Sequence, residues 1–321
     1  MNHIKPVLMV GVMVGTLIAT VGCGRVAASP PKVPISTKPH DGMVSRYRLL
    51  HPPNLPSGVK LYQIEYWSDH HQVEALMTEP GQAGRYPLLV NLHGGYLFGG
   101  PHWNFGYTPA AAAGLAFSSV VELYPEYQGY IGSPGRAKGV RIDFSNLQDA
   151  IRIAKQFGEV KVNDTYLLGY SLGGDLALMT AGWDHQVRAV VAVSPLVGLS
   201  DVVQWSQAHQ GLGPTAYPGE FLGVVDRYGP NIHSLAYRER SPNPAAIRAP
   251  VLLLQGTGDK EVVWQTVRLF ADQMTHADRT VKLILYRGGQ HGLHGGYEAA
   301  SARAMDQWFK RYGLNIALNN Y

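Results

Sequence analysis

Three residues stand out by type and setting: Ser171, Asp259 and His291. Ser171 is the centre of Gly169-Tyr170-Ser171-Leu172-Gly173, a G-x-S-x-G string between the apolar run "TYLLG" and an Ala/Leu-rich stretch. In that context the string predicts a sharp strand-to-helix turn. Such a turn strains the serine backbone and holds its hydroxyl clear of the sheet at a helix N-terminus. The glycines two before and two after let strand and helix approach. A serine hydroxyl needs a base, and the base needs a group that fixes its tautomer and steadies its cation. His291 in "GGQHG" fits the base and Asp259 in "GTGD" fits the acid. Asp259 has a second reading, as N-cap of a helix starting near Val262. His294 competes with His291, which lies nearer the preceding strand. The developing oxyanion needs two donors. The N–H of Leu172 is one. The other is expected from "HGG", as the N–H of Gly95 or Tyr96, with His93 bracing that loop.

These residues need strand ends to hold them. "VKLYQIEYWSDHHQVEALMTEP" holds two alternating stretches, Leu61–Trp67 and Val73–Thr78, which predict a hairpin, with His70-His71 in a solvated turn. "YPLLVNLHGG", "FSSVVELYPEY", "TYLLG", "VRAVVAVSP", "PVLLLQG" and "VKLILY" are short apolar runs of the kind that form buried parallel strands. Helices are expected around Pro109–Leu115, over Asp143–Phe157, Asp175–Ala181 and Val262–Met274, and from Tyr297 to Tyr312. Residues 196–249 break this alternation and are rich in Gly, Pro, His and aromatics, which marks a candidate cap. Trp103, Phe105, Trp205, Tyr217, Phe221 and Tyr228 either line a substrate pocket or pack the cap. Strands alternating with helices give a mostly parallel, doubly wound sheet with functional loops at the strand carboxyl ends. Nucleophile, acid and base then follow in the chain order of the α/β-hydrolase fold, here with an N-terminal antiparallel hairpin and a small cap insertion.

Composition narrows the function classes. The 321 residues are 45% hydrophobic and 16% charged, which suits a sizeable core. A net charge of +4 without a dense Lys/Arg block gives no support for nucleic-acid binding. His291-x-x-His294 lacks the further ligands of a metal site, and Gly94-Gly95 with Gly99-Gly100 is no nucleotide fingerprint. No cofactor or metal is expected, because a side chain is the nucleophile. The single cysteine, Cys23, excludes an internal disulfide. Its setting is informative: Lys5, an apolar run from Val7 to Val21, then Gly22-Cys23. Residues 1–22 read as a signal peptide, 23–45 as a Pro-rich tether and 46–321 as the hydrolase domain. "ATVGC" resembles a bacterial lipobox, with Thr20 where Leu is common. Cleavage after Val26-Ala27-Ala28 and an uncleaved anchor are the rival readings. The expectation is an exported lipoprotein held on the outside of a bacterial membrane by Cys23, with a secreted or periplasmic protein as the alternative.

The ordered motifs "HGG", "YPEYQGYIGSPG", "DFSNLQDAI", "GYSLGG", "SPNPAAIRAPVLLLQGTGDKEV" and "LYRGGQHG" resemble the catalytic domain of the prolyl oligopeptidase family, over roughly Tyr62 to Tyr312. That resemblance implies Ser171 as nucleophile, Asp259 as acid and His291 as base. Typical members carry a β-propeller ahead of this domain that restricts substrates to small peptides. Roughly 35 residues separate Cys23 from the first predicted strand, too few for a propeller. Freestanding relatives of this kind are often esterases. The expected activity is therefore a serine peptidase or carboxylesterase acting on a small ester or peptide. The alternative from another class is a non-catalytic surface-binding lipoprotein on the same scaffold.

Overall fold

The computed structural model describes residues 35–36, 40–98, 100, 102–209 and 217–318, with side chains of 217–222 outside that description. Cys23 and the readings of 1–22 therefore lie outside the described residues. Nine strands form one sheet in the order β1-β2-β3-β5-β4-β6-β7-β8-β9. They are β1 (Val44–Leu50), β2 (Val59–Ser68), β3 (His71–Pro80), β4 (Tyr86–Leu92), β5 (Val121–Glu126), β6 (Val160–Tyr170), β7 (Val187–Val193), β8 (Val251–Gly256) and β9 (Val281–Tyr286). From β5 through β9 every pairing is parallel, and β1, β2 and β3 add an antiparallel edge. The fold is α/β, of the hydrolase type.

The parallel strands are apolar on both faces because both faces are covered. Leu167, Val190 and Leu253 join one core with Leu147 and Ile151 of α2 (Val140–Ala154), Leu176 of α3 (Leu172–Trp183) and Phe270 of α7 (Trp264–His276). Their chain neighbours Leu168, Val191 and Leu252 join the opposite core with Met305, Trp308 and Phe309 of α8 (Glu298–Arg311). Each such buried side chain contributes about 1.5–3 kcal/mol of burial free energy. A third cluster packs Ala112 and Ala113 of α1 (Pro109–Leu115) on Leu61, Leu76 and Tyr124. The β2–β3 turn is only Asp69 and His70, both at positive φ, as a two-residue hairpin of matching twist requires.

One feature departs from the sequence reading. Strand β1 is additional and starts at Val44, inside the predicted tether, while Ile35 bridges to Val44. As an edge strand it buries only Val44, and its exposed Arg46, Arg48 and Leu49 mix charged and apolar types, so it lacks the apolar–polar alternation that marks a half-buried strand. The insertion between β7 and β8 contains α4 (Leu199–Ala208), α5 (Tyr217–Tyr228) and α6 (Leu235–Arg238). Val202, Val203 and Val224 sink into the core that also holds α2, α3 and α7.

The strand order positions the site. Chain order steps from β4 outward to β5, then jumps back over β4 to β6. Connections from β4 and β6 thus leave in opposite directions, which opens a crevice at their carboxyl ends. His93-Gly94-Gly95 follows β4, and Ser171 follows β6.

Candidate active site

Ser171 sits at φ 54°, ψ −121°, between β6 and the first residue of α3. A non-glycine residue in this region is strained, and such strain persists only where surroundings fix it. They do so through backbone. A Cβ on Gly169 would meet the Gly173 carbonyl oxygen at 2.2 Å, and one on Gly173 would meet the Leu92 carbonyl oxygen at 2.2 Å. The turn closes through Ser171 N–H donating to Val193 O at 2.9 Å and Gly174 N–H donating to Ser171 O at 2.9 Å.

Asp259 and His291 meet across the ends of β8 and β9. Nδ1 of His291 lies 2.9 Å from Oδ2 of Asp259 and 3.2 Å from Oδ1. A carboxylate only accepts, so Nδ1 carries the proton and Nε2 is left for chemistry. Oδ1 of Asp259 also accepts from the N–H of Glu261 (2.8 Å) and of Val262 (2.9 Å). This is the turn contact behind the capping alternative, but α7 starts at Trp264 with Val263 before it, so Asp259 is not its cap. Burial alone would raise the Asp259 carboxyl. The His291 hydrogen bond and charge and the two N–H donors outweigh burial and hold it below the usual range. Burial pulls His291 down, and Asp259 with the Glu261 carboxylate lifts it above the ordinary imidazole value.

Ser171 and His291 line one cavity of about 370 Å³ with His93, Gly94, Phe105, Gly106, Tyr107, Leu115, Tyr170, Gly292 and His294. Asp259 stands behind His291. His294 thus reaches the pocket, while the Asp259 contact falls to His291. Among the described residues of 196–249, none lines this cavity. The insertion instead touches the β4 loop: Tyr228 packs on Phe98 with ring centroids 6.3 Å apart, and the Arg227 guanidinium lies 5.4 Å from the same ring.

Of the expected pocket aromatics, Phe105 lines the cavity. Trp103 packs on Tyr96 at 4.2 Å between centroids, and Trp205 stacks on His209 at 4.4 Å. Tyr217 and Phe221 fall outside the described side chains. The expected oxyanion donors divide. The N–H of Tyr96 donates to the Tyr130 hydroxyl at 2.9 Å, so it is occupied and is no free donor. The same hydroxyl packs closely on Gly95, where a Cβ would meet it at 2.5 Å. The Gly95 and Leu172 N–H groups accordingly stand as the pair to consider.

Residues without a sequence signal of their own support the site. Gln255 Nε2 donates to Asp259 Oδ2 at 2.9 Å, and its one hint is a polar side chain within an apolar strand. Buried Ser194, at φ 47°, accepts from the Gly292 N–H at 3.1 Å and so anchors the His291 loop. The described residues contain no group of three His, Cys, Asp or Glu placed to hold a metal ion.

The sequence pattern of the prolyl oligopeptidase family matches residues 135–314, more than half of the chain. The chain belongs to the prolyl oligopeptidase family. The matched segment contains Ser171, Asp259 and His291, and it stops short of the β4 loop. The chain is 26% identical over 261 residues to "Uncharacterized peptidase YtmA" of Bacillus subtilis (strain 168), covering 80% of this chain and 96% of that protein. Its fold is similar to the acetyl xylan esterase from Paenibacillus sp. R4, with TM-score 0.63, 19% identity, and 83% and 88% of the two chains covered. It is also similar to the Pyrococcus horikoshii acylaminoacyl peptidase, with TM-score 0.64 and 14% identity. That likeness covers 81% of this chain but 42% of the peptidase. This prolyl oligopeptidase family member thus shares its α/β-hydrolase fold with both esterases and peptidases, and it is a hydrolase.

Proposed function

We propose that this chain is a serine hydrolase that cuts ester or peptide bonds through an acyl-enzyme. The observation that carries this reading is the meeting, in one cavity, of Ser171 on a strained turn with a His291 whose Nδ1 is held by Asp259. Ser171 Oγ attacks the carbonyl carbon, and His291 Nε2 takes its proton. The N–H groups of Leu172 and Gly95 stabilise the tetrahedral oxyanion. The imidazolium then protonates the leaving group. Water, deprotonated by His291, attacks the acyl-enzyme and frees Ser171.

The pocket walls Phe105, Tyr107, Leu115 and Tyr170 suit a short apolar acyl group. This supports a carboxylesterase acting on short acyl chains. A peptidase is the second reading, favoured by the family and by the Bacillus subtilis relative. The test is a rate panel on the full chain with Ser171→Ala as blank. It pairs p-nitrophenyl esters of graded chain length with aminoacyl and peptidyl p-nitroanilides. Turnover of short esters alone supports the first reading, anilide cleavage supports the second, and no turnover above the blank rejects both.

Export and lipid attachment at Cys23 are also proposed, on the apolar run Val7–Val21 ending in Gly22-Cys23. Mass spectrometry of the membrane fraction should find a mature N-terminus at Cys23 carrying acyl mass. An unmodified N-terminus at Ser29 rejects this proposal.

A further inference from the structure

A second histidine–carboxylate pair lies beside the same cavity. His93 directly follows β4, and Glu126 ends β5; both are buried. The ring is enclosed by Tyr127, Tyr130, Phe105 and Tyr107, with centroid separations from 4.2 to 6.1 Å. A Cβ on Gly106 would lie 1.9 Å from Glu126 Oε2, so the loop crosses directly over that carboxyl.

Proton positions follow from the chemistry of the partners. Nδ1 of His93 is 2.6 Å from the Gly94 carbonyl oxygen. A carbonyl only accepts, so Nδ1 carries a proton. Nε2 then faces Glu126 Oε2 at 3.3 Å, out of line for a good hydrogen bond, and neither atom has another partner among the described residues. Two bare acceptors would repel at that distance, so one proton lies between them, on the ring or on the carboxyl. Burial pushes the Glu126 carboxyl up, against the pull of His93 and of the Tyr107 N–H bonded to Oε1. Asp143 is a further buried carboxyl whose charge acts on His93, and burial raises it to about 7.

The hydrogen bond to Gly94 O has a consequence two atoms away. The Gly94 C=O and the Gly95 N–H belong to one planar trans peptide unit and point in opposite directions. With glycine on both sides, no Cβ of its own limits the rotation of that unit. Holding the oxygen therefore sets the direction of the N–H. We propose that His93 and Glu126 are positioning residues that share one buried proton and, through the Gly94 carbonyl, aim the Gly95 N–H at the substrate oxyanion. The inference rests on the serine-hydrolase reading above. Tyr127 OH, donating to His93 O at 3.2 Å, and Tyr130 OH, accepting from Tyr96 N–H, hold the backbone on either side.

The test is steady-state ester hydrolysis by the full chain, with wild type and Ser171→Ala in the same panel. His93→Phe keeps a ring in the aromatic enclosure and removes the donor to Gly94 O. We expect kcat to fall about 100-fold, the scale of losing one oxyanion donor, with KM within about 3-fold. Glu126→Leu should act alike. Glu126→Gln should restore kcat to within about 3-fold of wild type, because its amide can donate to Nε2 while its oxygen accepts from Tyr107. The proposal is overturned if His93→Phe keeps kcat within about 3-fold. It is equally overturned if KM rises in step with the loss, or if Glu126→Gln is as impaired as Glu126→Leu. Should His93→Phe not fold, the two Glu126 variants decide alone. Wild-type turnover no faster than Ser171→Ala would remove the serine-hydrolase reading itself, and with it any oxyanion for the pair to serve.

Discussion

Two histidine–carboxylate pairs adjoin one cavity, yet their carboxyls are pushed in opposite directions. Asp259 is held below the usual carboxylate range, and Glu126 is raised above it. Both side chains are covered, but Glu126 lies deeper and burial is the largest influence on it. The number of donors adds to the difference. Asp259 accepts from His291, Gln255 and the N–H groups of Glu261 and Val262. Glu126 has the Tyr107 N–H and an out-of-line His93. The histidines differ too: the His291 side chain is 22% exposed and His93 4%. In the mechanism proposed above, the first pair keeps a negative charge behind an imidazole that gains and loses a proton, and the second keeps a single proton in place.

Four substitutions test this contrast, in descending order of effect. Ser171→Ala should lower kcat by about 10⁶-fold, which sets the floor against which either pair is measured. Asp259→Asn should lower kcat by about 10⁴-fold with unfolding temperature little changed, because an amide can donate to His291 Nδ1 and favour the wrong tautomer. A loss under about 10-fold in steady-state kinetics would show that the two pairs do not differ as argued. Gln255→Leu removes one donor from Asp259 and should cost roughly 10-fold in kcat, on the scale of about 1.5 kcal/mol for a bond to a charged group.

Glu261→Gln should leave the plateau rate within about 2-fold and move only the acid limb of the kcat/KM profile. The sign follows from the base, since His291 must be neutral to accept the Ser171 proton. Its pKa is raised, in part by the Glu261 carboxylate 3.5 Å from Nε2, so activity appears as pH rises through that value. Removing the charge lowers the pKa, and the acid limb should shift to lower pH. A shift to higher pH would contradict the assigned direction.

The first pair was legible in the sequence because each member sits at a strand end beside glycines, in an order that the turn chemistry requires. The parallel strands were legible for a related reason, since burial on both faces leaves continuous apolar runs such as "LLLQG". The second pair was not. Glu126 reads as a polar residue near the end of an apolar run, and nothing local says that Gly106 will close over it. Asp143 marked the start of the predicted helix, and nothing local says that this carboxyl is buried where its charge acts on His93. Edge strand β1 escaped because its pairing is backbone to backbone, and its part-exposed side chains impose no pattern. Tyr96 was placed in the right loop, but only the packed structure shows its N–H taken by Tyr130.

The turn at Ser171 is fixed by glycines lying against main-chain oxygens, Gly169 on Gly173 and Gly173 on Leu92. No pocket side chain takes part in those contacts. The wall residues Phe105, Tyr107 and Leu115 come from the separate segment between β4 and β5. For an engineer, side-chain changes at Phe105 and Leu115 can therefore reshape the wall while the Ser171 turn stays where the backbone put it. Gly106, which lies against Glu126, and Ala112 and Ala113, which are buried in the third core, have to be kept.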